Sequence, residues 1–310
     1  MPHIDNYAQM LQVAAAAGPV PVAVAAAEEY EVLVAVSQAE ALGIVSATLV
    51  GSRPAIHSIA QEHGLNFADA DILDEPDPMS AAECAIRLVA SGQARVAIKG
   101  QLQTSAFLRA ALDRRAHLRT SHLISHVGIF EVPGFSRLLF ITDGGVVLFP
   151  TEEQKAEIVS NAILVARALG IAEPKVALVT ASDSPSPDLP VSLEMARIAA
   201  LQDRWQTERA HVDGPFLLDT AVSPDVAQQR GRTGQVAGRA DVLVGPNVES
   251  VNIMAKAITY FAGGRMAGLV VGAKAPLVVG SRADPPETRL VCIAAGALVA
   301  AAMGDGSHRQ

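Results

Sequence analysis

Between Pro19 and Gly100, short aliphatic runs alternate with longer amphipathic ones, and this alternation constrains the fold more than any other feature. VPVAVAAA, SATLVGS, ADILDE and ARVAIKG carry the strand pattern, rich in Val, Ile and Ala and bounded by turn residues. Between them, EYEVLVAVSQAEALG, PAIHSIAQEHG and MSAAECAIRLVASGQ read as helices. The first two are closed by Gly43 and Gly64, and the second is opened by Pro54. Strand–helix–strand repeats require crossover connections, which set the strands parallel and place helices on the faces of the sheet. Parallel strands of this kind are buried on both sides, which suits the apolar runs VPVAV and VAI.

Half of the 310 residues are hydrophobic, 18% are charged and only 4% are aromatic. This supply of aliphatic surface suits one large or two ordinary α/β cores. The net charge of −8 argues against a nucleic-acid partner, which calls for a concentrated basic face. Small molecules or copies of the chain itself are the expected partners. Cys84 and Cys292 both fall in apolar helical patterns and read as buried thiols of a reducing compartment. MPHIDNYAQM lacks the basic and apolar segments of a signal peptide. The apolar run from Leu290 to Met303 is shorter than the roughly 20 residues of a bilayer span. A soluble cytoplasmic protein is expected.

From His117 to Pro150 the pattern changes. ISHVGIFEVPGFSRLLFITDGGVVLF reads as strands with turns at Pro133-Gly134 and Asp143-Gly145, the entry to a second domain. Thr151 and Gln154 form a capping-box pattern ahead of EEQKAEIVSNAILVARALG. KVALVTAS, HVDGPFLLD and ADVLVGP follow as strands, with LEMARIAALQDR and VESVNIMAKAITYF as helices.

Parallel sheets bind ligands at the carboxyl ends of their strands. After ARVAI, the residues Lys99, Gly100, Thr104 and Ser105 at a helix start describe an anion site, or else an ordinary cap beside a surface lysine. A second such place is GLVVGAKAPLVVGSRADPPET. Here Ser281 and Arg282 follow a short buried strand, Asp284 reads as an N-cap with Pro285 at the first helical position, and Glu287 lies three past the cap. The apolar helix from Pro286 to Met303 would turn its positive amino end toward that serine and arginine. Asn247 follows a buried strand, and Asn252 and Lys256 are i and i+4 on the next helix. Asp143 reads as a turn acid or as a cleft residue. His122 and His126 belong to an extended segment, roughly 13 Å apart, too far to share a metal ion. G-x-S-x-G, the P-loop and the dinucleotide fingerprint are absent from the sequence.

Taken in order, KGQLQTSAFLRAAL, SHVGIFEVP, ITDGGVVLFPTEEQKAEIV, KVALVTASD, HVDGPFLLDTAVS, ADVLVGPNVESVNIMAKA and GLVVGAKAPLVVGSRAD resemble the phosphate acetyltransferase and phosphate butyryltransferase family, and more closely its butyryl branch. The resemblance implies two α/β domains of largely parallel sheets flanked by helices, with an isocitrate/isopropylmalate dehydrogenase-like architecture. It places residues 1–132 and 274–310 in a discontinuous first domain and residues 133–273 in the second. It implies reversible acyl transfer between coenzyme A and inorganic phosphate by direct thiolate attack, in a homodimer. Coenzyme A is then a co-substrate, no cofactor is permanently bound, and the other partners are acyl-CoA and acyl phosphate. Ser281 and Arg282 match the family's Ser-Arg pair, the serine bonding the reacting centre and the arginine holding phosphate. Lys99, Thr104 and Ser105 match the first-domain loop; Asn252, Lys256 and Lys274 match polar positions of the second.

Two departures stand out. Thr288 occupies the place of the acetyl branch's aspartate, which leaves Asp284 and Glu287 as the nearest candidates for the base, with Asp284 preferred. Val251 replaces the usual glycine before Asn252. Two other classes remain open on these residues: a metal- and NAD-dependent dehydrogenase on the same general fold, and a non-catalytic acyl-CoA-binding paralogue. Acyl-pocket walls are sought among Phe135, Leu138, Phe149, Phe216 and Leu217, each of which serves equally well as core, so chain length is not fixed.

Overall fold

The computed structural model describes residues 2–120, 122–280 and 284–304. The chain divides into two compact units. The terminal unit comprises Tyr7–His122 and Ala267–Gln310, and the central unit comprises Leu123–Met266 with Met1–Asn6.

In chain order the terminal unit begins with α1 (Tyr7–Ala17), β1 (Val20–Ala25), α2 (Tyr30–Ala41), β2 (Val45–Gly51), α3 (Arg53–Glu62), β3 (Ile72–Asp74), α4 (Pro78–Ala90), β4 (Val96–Lys99) and α5 (Thr104–Leu112). The central elements are β5 (Ser125–Glu131), β6 (Leu139–Thr142), α6 (Glu152–Ala168), β7 (Lys175–Val179), α7 (Pro190–Ala199), α8 (Gln202–Thr207), β8 (His211–Phe216), α9 (Leu218–Val222), α10 (Pro224–Gln229), β9 (Val242–Val244) and α11 (Val248–Phe261). The chain ends with β10 (Arg265–Val271), β11 (Leu277–Val278) and α12 (Pro286–Gly304).

Alternating strand and helix produces parallel pairing in the terminal unit. There β3, β2, β1, β4 and β11 lie side by side in parallel, and β11 pairs antiparallel with β10. In the central unit β5 and β6 form an antiparallel pair joined through the Pro133-Gly134 turn, while β6, β9, β7 and β8 are parallel neighbours. The architecture is therefore mixed α/β, with sheet flanked by helices, and β1 is buried at five of its six positions.

Local chemistry sets several boundaries as expected. Before α6 the capping box is complete: Gln154 N–H donates to Thr151 Oγ1 at 3.3 Å, and Thr151 N–H donates to Gln154 Oε1 at 2.9 Å. Gly43 and Gly64 close their helices with φ of 73° and 66°, a conformation that a Cβ disfavours.

Other boundaries differ from the sequence reading. MPHIDNYAQM leads into α1, whose Tyr7, Met10 and Ala14 recur at i, i+3 and i+7 and are buried. LEMARIAALQDR is two helices, because the chain leaves the helix at Ala200 and Leu201 before α8. HVDGPFLLD is strand only to Phe216, after which α9 begins.

At α12 the cap lies one residue later than expected. The helix opens at Pro286, and the Pro285 carbonyl accepts the Thr288 and Arg289 N–H groups at 3.1 and 3.2 Å. Asp284 therefore precedes the cap position. α12 runs for 19 residues, longer than the apolar run suggested, and meets the length and hydropathy of a bilayer span. Every residue from Arg289 to Ala300 is buried within the fold, the mark of a core helix.

Candidate functional site

In the terminal unit, β4 delivers Lys99 and Gly100 to its carboxyl end. Lys99 is 3% exposed, and its ammonium donates to the carbonyls of Gly100 and Leu102 at 3.1 and 3.2 Å. It thus braces the loop that carries it, rather than standing on the surface as a cap-side lysine would. Gly100 allows that loop to lie against the end of β1. A Cβ there would come within 2.2 Å of the Ala26 carbonyl oxygen, while Gly100 and Gln101 N–H donate to Ala25 and Ala26 at 2.8 and 2.7 Å. The loop leads into α5 through Gln103, whose side chain makes no capping bond, so the first N–H groups of α5 sit beside the exposed Thr104 and Ser105. Unfilled N–H groups at a helix start attract anions.

Ser281 and Arg282 lie outside the described residues. Beside them, Asp284 is half-buried, Glu287 is exposed, and Thr288 is half-buried in the first turn of α12. Arg289, one residue further, is buried. Its two terminal nitrogens donate to the Glu29 carboxylate at 3.0 and 2.8 Å, and its Nε donates to the Asp284 carbonyl at 3.3 Å. A fork-to-fork pair of this kind fixes direction as well as distance, and it ties the start of α12 to the β1–α2 loop. The visible signal of this pair in the sequence is a lone arginine in a mostly apolar helix. Lys274 is exposed, and its backbone N–H donates to the Leu118 carbonyl at 2.9 Å. Cys292 lies beneath Arg289, where burial pushes its thiol up to about 12, which rules it out as a nucleophile near neutral pH.

The central unit contains a cavity of about 150 Å³. One wall is β5, where His126, Gly128 and Phe130 recur at every second residue and so share a face of the strand. The opposite wall is α11, which contributes Val251, Asn252, Ala255, Lys256 and Thr259, spaced along one helical face. Ile141, Gly144, Gly145 and Met266 complete it.

Asp143 is 4% exposed, and its carboxylate accepts the N–H groups of Gly145, Val146 and Val147 at 2.8, 2.9 and 3.0 Å. It holds the turn at the cavity edge, which is the turn-acid alternative. Asn247 caps α11 by accepting Ser250 N–H at 3.0 Å. Asn252 donates to the Gly144 carbonyl at 3.0 Å, joining the helix to that turn, and Lys256 is exposed beside it.

In the sequence His126 stands out only as half of a possible metal pair with His122. Its Nδ1 is buried without a hydrogen-bond partner. Burial lowers its pKa, and the nearby Asp143 charge opposes the shift. Its period-two spacing with Gly128 and Phe130 is the signal that would have found it. His122 precedes β5, so no helix carries the two rings on one face. Among the described residues, no group of three or more His, Cys, Asp or Glu is placed to hold a metal ion. Of the five residues offered as acyl-pocket walls or core, Leu138 and Phe216 are packed in the core, Phe135 and Phe149 are exposed, and none lines this cavity.

The sequence pattern of the family described as Phosphate acetyl/butaryl transferase matches residues 77–297. The chain is 42% identical over 270 residues to the phosphate butyryltransferase of Clostridium beijerinckii, covering 87% of this chain and 89% of that protein. It is 35% identical to the phosphate acetyltransferase of Rhizobium meliloti, covering 96% and 94%. The crystal structure of a branched-chain phosphotransacylase from Enterococcus faecalis superposes with a TM-score of 0.78 at 28% identity, covering 91% of this chain and 99% of that one. With 221 consecutive residues matched and relatives similar along nearly their whole length, the chain belongs to the phosphate acetyl/butyryl transferase family.

Proposed function

We propose that the chain catalyses reversible transfer of a short acyl group, butyryl or acetyl, between coenzyme A and inorganic phosphate. The observation that carries this reading is the 42% identity to a phosphate butyryltransferase across 87% of the chain. In the direction of thioester synthesis, the coenzyme A thiol gives its proton to Asp284 and the sulfur attacks the acyl carbonyl. The carbon–sulfur bond forms, the bond to the phosphate oxygen breaks, and phosphate departs with the electron pair. A thiol of ordinary pKa is only about 3% ionised at pH 7, so a base or a positive field assists the step.

Arg282 holds the phosphate, and Ser281 bonds the reacting centre, where charge builds on the carbonyl oxygen. The capless start of α5 with Thr104 and Ser105 supplies further donors to an anionic group, and Lys99 with Gly100 keeps that loop in place. In the terminal unit Lys274 serves as an exposed cation for an anionic substrate, and in the central unit Lys256 and Asn252 serve as a polar pair. Asp143 and Asn247 act through the turn and the helix start that they fix. Coenzyme A enters as a co-substrate without a permanently bound cofactor, and the working form is a cytoplasmic homodimer. The test is thiol release from acetyl-, propionyl- and butyryl-CoA with and without phosphate. Phosphate-dependent release is expected, and its absence with all three substrates overturns the reading.

A further inference from the structure

The ion pair between Glu29 and Arg289 bears on how the proposed base is held, an inference that rests on the acyl-transfer reading above. In the terminal unit, β2 and β3 lie on one side of β1, while β4 and β11 lie on the other. The strand order therefore reverses between β1 and β4, and α/β sheets bind their ligands at the carboxyl ends of the strands flanking such a switch point. Arg289 spans this place. Its fork holds Glu29 in the loop after β1, and with Lys99 of β4 and Gly280 after β11 it lines a hollow of about 10 Å³.

Two contacts make Arg289 a support for Asp284. Its Nε donates to the Asp284 carbonyl at 3.3 Å. A Cβ placed on Gly280 would stand 3.6 and 3.8 Å from Arg289 Cγ and Nε, and 3.8 Å from Asp284 Oδ2. The glycine, the arginine and the Asp284 carboxylate thus face one another, and in the sequence Gly280 and Asp284 bound the stretch that carries Ser281 and Arg282. A buried ion pair adds little stability over apolar residues of the same volume. What it adds is direction, because a planar fork held by two carboxylate oxygens fixes where its third nitrogen points.

We infer that Glu29 and Arg289 are positioning residues that hold Asp284 where it takes the proton of the coenzyme A thiol. Glu29 orients the guanidinium, and the guanidinium holds the Asp284 backbone. A general base works only within hydrogen-bond reach of the proton it removes, and a misplacement of about 1 Å costs on the order of a hundredfold in rate. Such a loss falls on kcat, because the base acts in the transition state rather than in substrate binding.

The experiment follows thiol consumption from coenzyme A with butyryl phosphate, and records kcat, the KM for coenzyme A and the urea midpoint. It uses the full chain, Glu29→Gln, Asp284→Asn, and the double variant Glu29→Leu with Arg289→Met. The double variant is expected to keep a urea midpoint near that of the wild type while its kcat falls about tenfold or more, with KM within about twofold. Asp284→Asn lowers kcat at least as far, since it removes the group that the pair positions. A double variant that regains wild-type kcat together with its midpoint makes the pair structural only and overturns the proposal, as does an unchanged kcat in Asp284→Asn. Either result leaves the acyl-transfer reading standing. If the double variant does not fold, Glu29→Gln decides: a lowered kcat at unchanged KM supports the proposal, and a wild-type kcat overturns it. If the wild type consumes no thiol, both readings fall.

Discussion

Glu29→Ala removes the carboxylate from a guanidinium that is only 3% exposed. Arg289 loses two charge-assisted bonds, of 3.0 and 2.8 Å, and keeps its Nε bond to the Asp284 carbonyl. Breaking one side of a buried pair costs about 3 to 5 kcal/mol, mostly because the remaining charge is held in a place chosen for its partner. Glu29 is 13% exposed at its side chain, so water reaches the gap and the lower end, about 3 kcal/mol, is expected. With a urea dependence of about 2 kcal/mol per molar, the midpoint followed by far-UV circular dichroism should fall by roughly 1.5 M.

Glu29→Gln keeps the shape and one acceptor, and should fall about half as far. The double change Glu29→Leu with Arg289→Met removes both charges and should recover most of the loss, because an apolar replacement leaves nothing to solvate. A Glu29→Ala protein within 0.5 kcal/mol of wild type, a loss of about that size being the ordinary scatter of a surface change, refutes the reasoning. So does a double variant as unstable as the single.

Arg282→Ala should lower kcat/KM by at least a hundredfold, a loss of about 3 kcal/mol of charge-assisted bonding, and Arg282→Lys should recover little because a fork is replaced by a point charge; near-normal turnover by either removes Arg282 from the site. Burial lowers the His126 pKa below its ordinary 6.5, so the unfolded chain takes up that proton first as pH falls. The stability that comes from the neutral ring is complete above about pH 6.5 and is lost progressively below it. His126→Asn should flatten the acid side of a plot of urea midpoint against pH between 5 and 7, and a slope unchanged from wild type removes His126 as the source. Cys292, with its thiol pushed up to about 12, should resist a thiol reagent at pH 8 until the protein unfolds, while half-buried Cys84 reacts first; two thiols titrating together in the native state would contradict this.

The sequence by itself determined what depends on neighbours along the chain. Period, cap and punctuation placed β1 to β4 and the helices between them, because an apolar run with a proline start and a glycine stop carries its instructions locally. Thr151 and Gln154 named their own helix start for the same reason. The ordered motifs from Lys99 onward also carried the family. What depends on distant neighbours was decided by the tertiary structure. Nothing adjacent to Glu29 announces Arg289, 260 residues away, yet burial makes the pair obligatory. Asp284 has the composition of a cap, but Pro285 takes that position because the helix opens one residue later. The aromatic residues that looked like pocket walls are core or surface, while the cavity uses the alternate face of β5 and one face of α11. A sequence shows which residues can share a face. Only packing shows which face meets which, and so which polar atom, here His126 Nδ1, is buried without a hydrogen-bond partner.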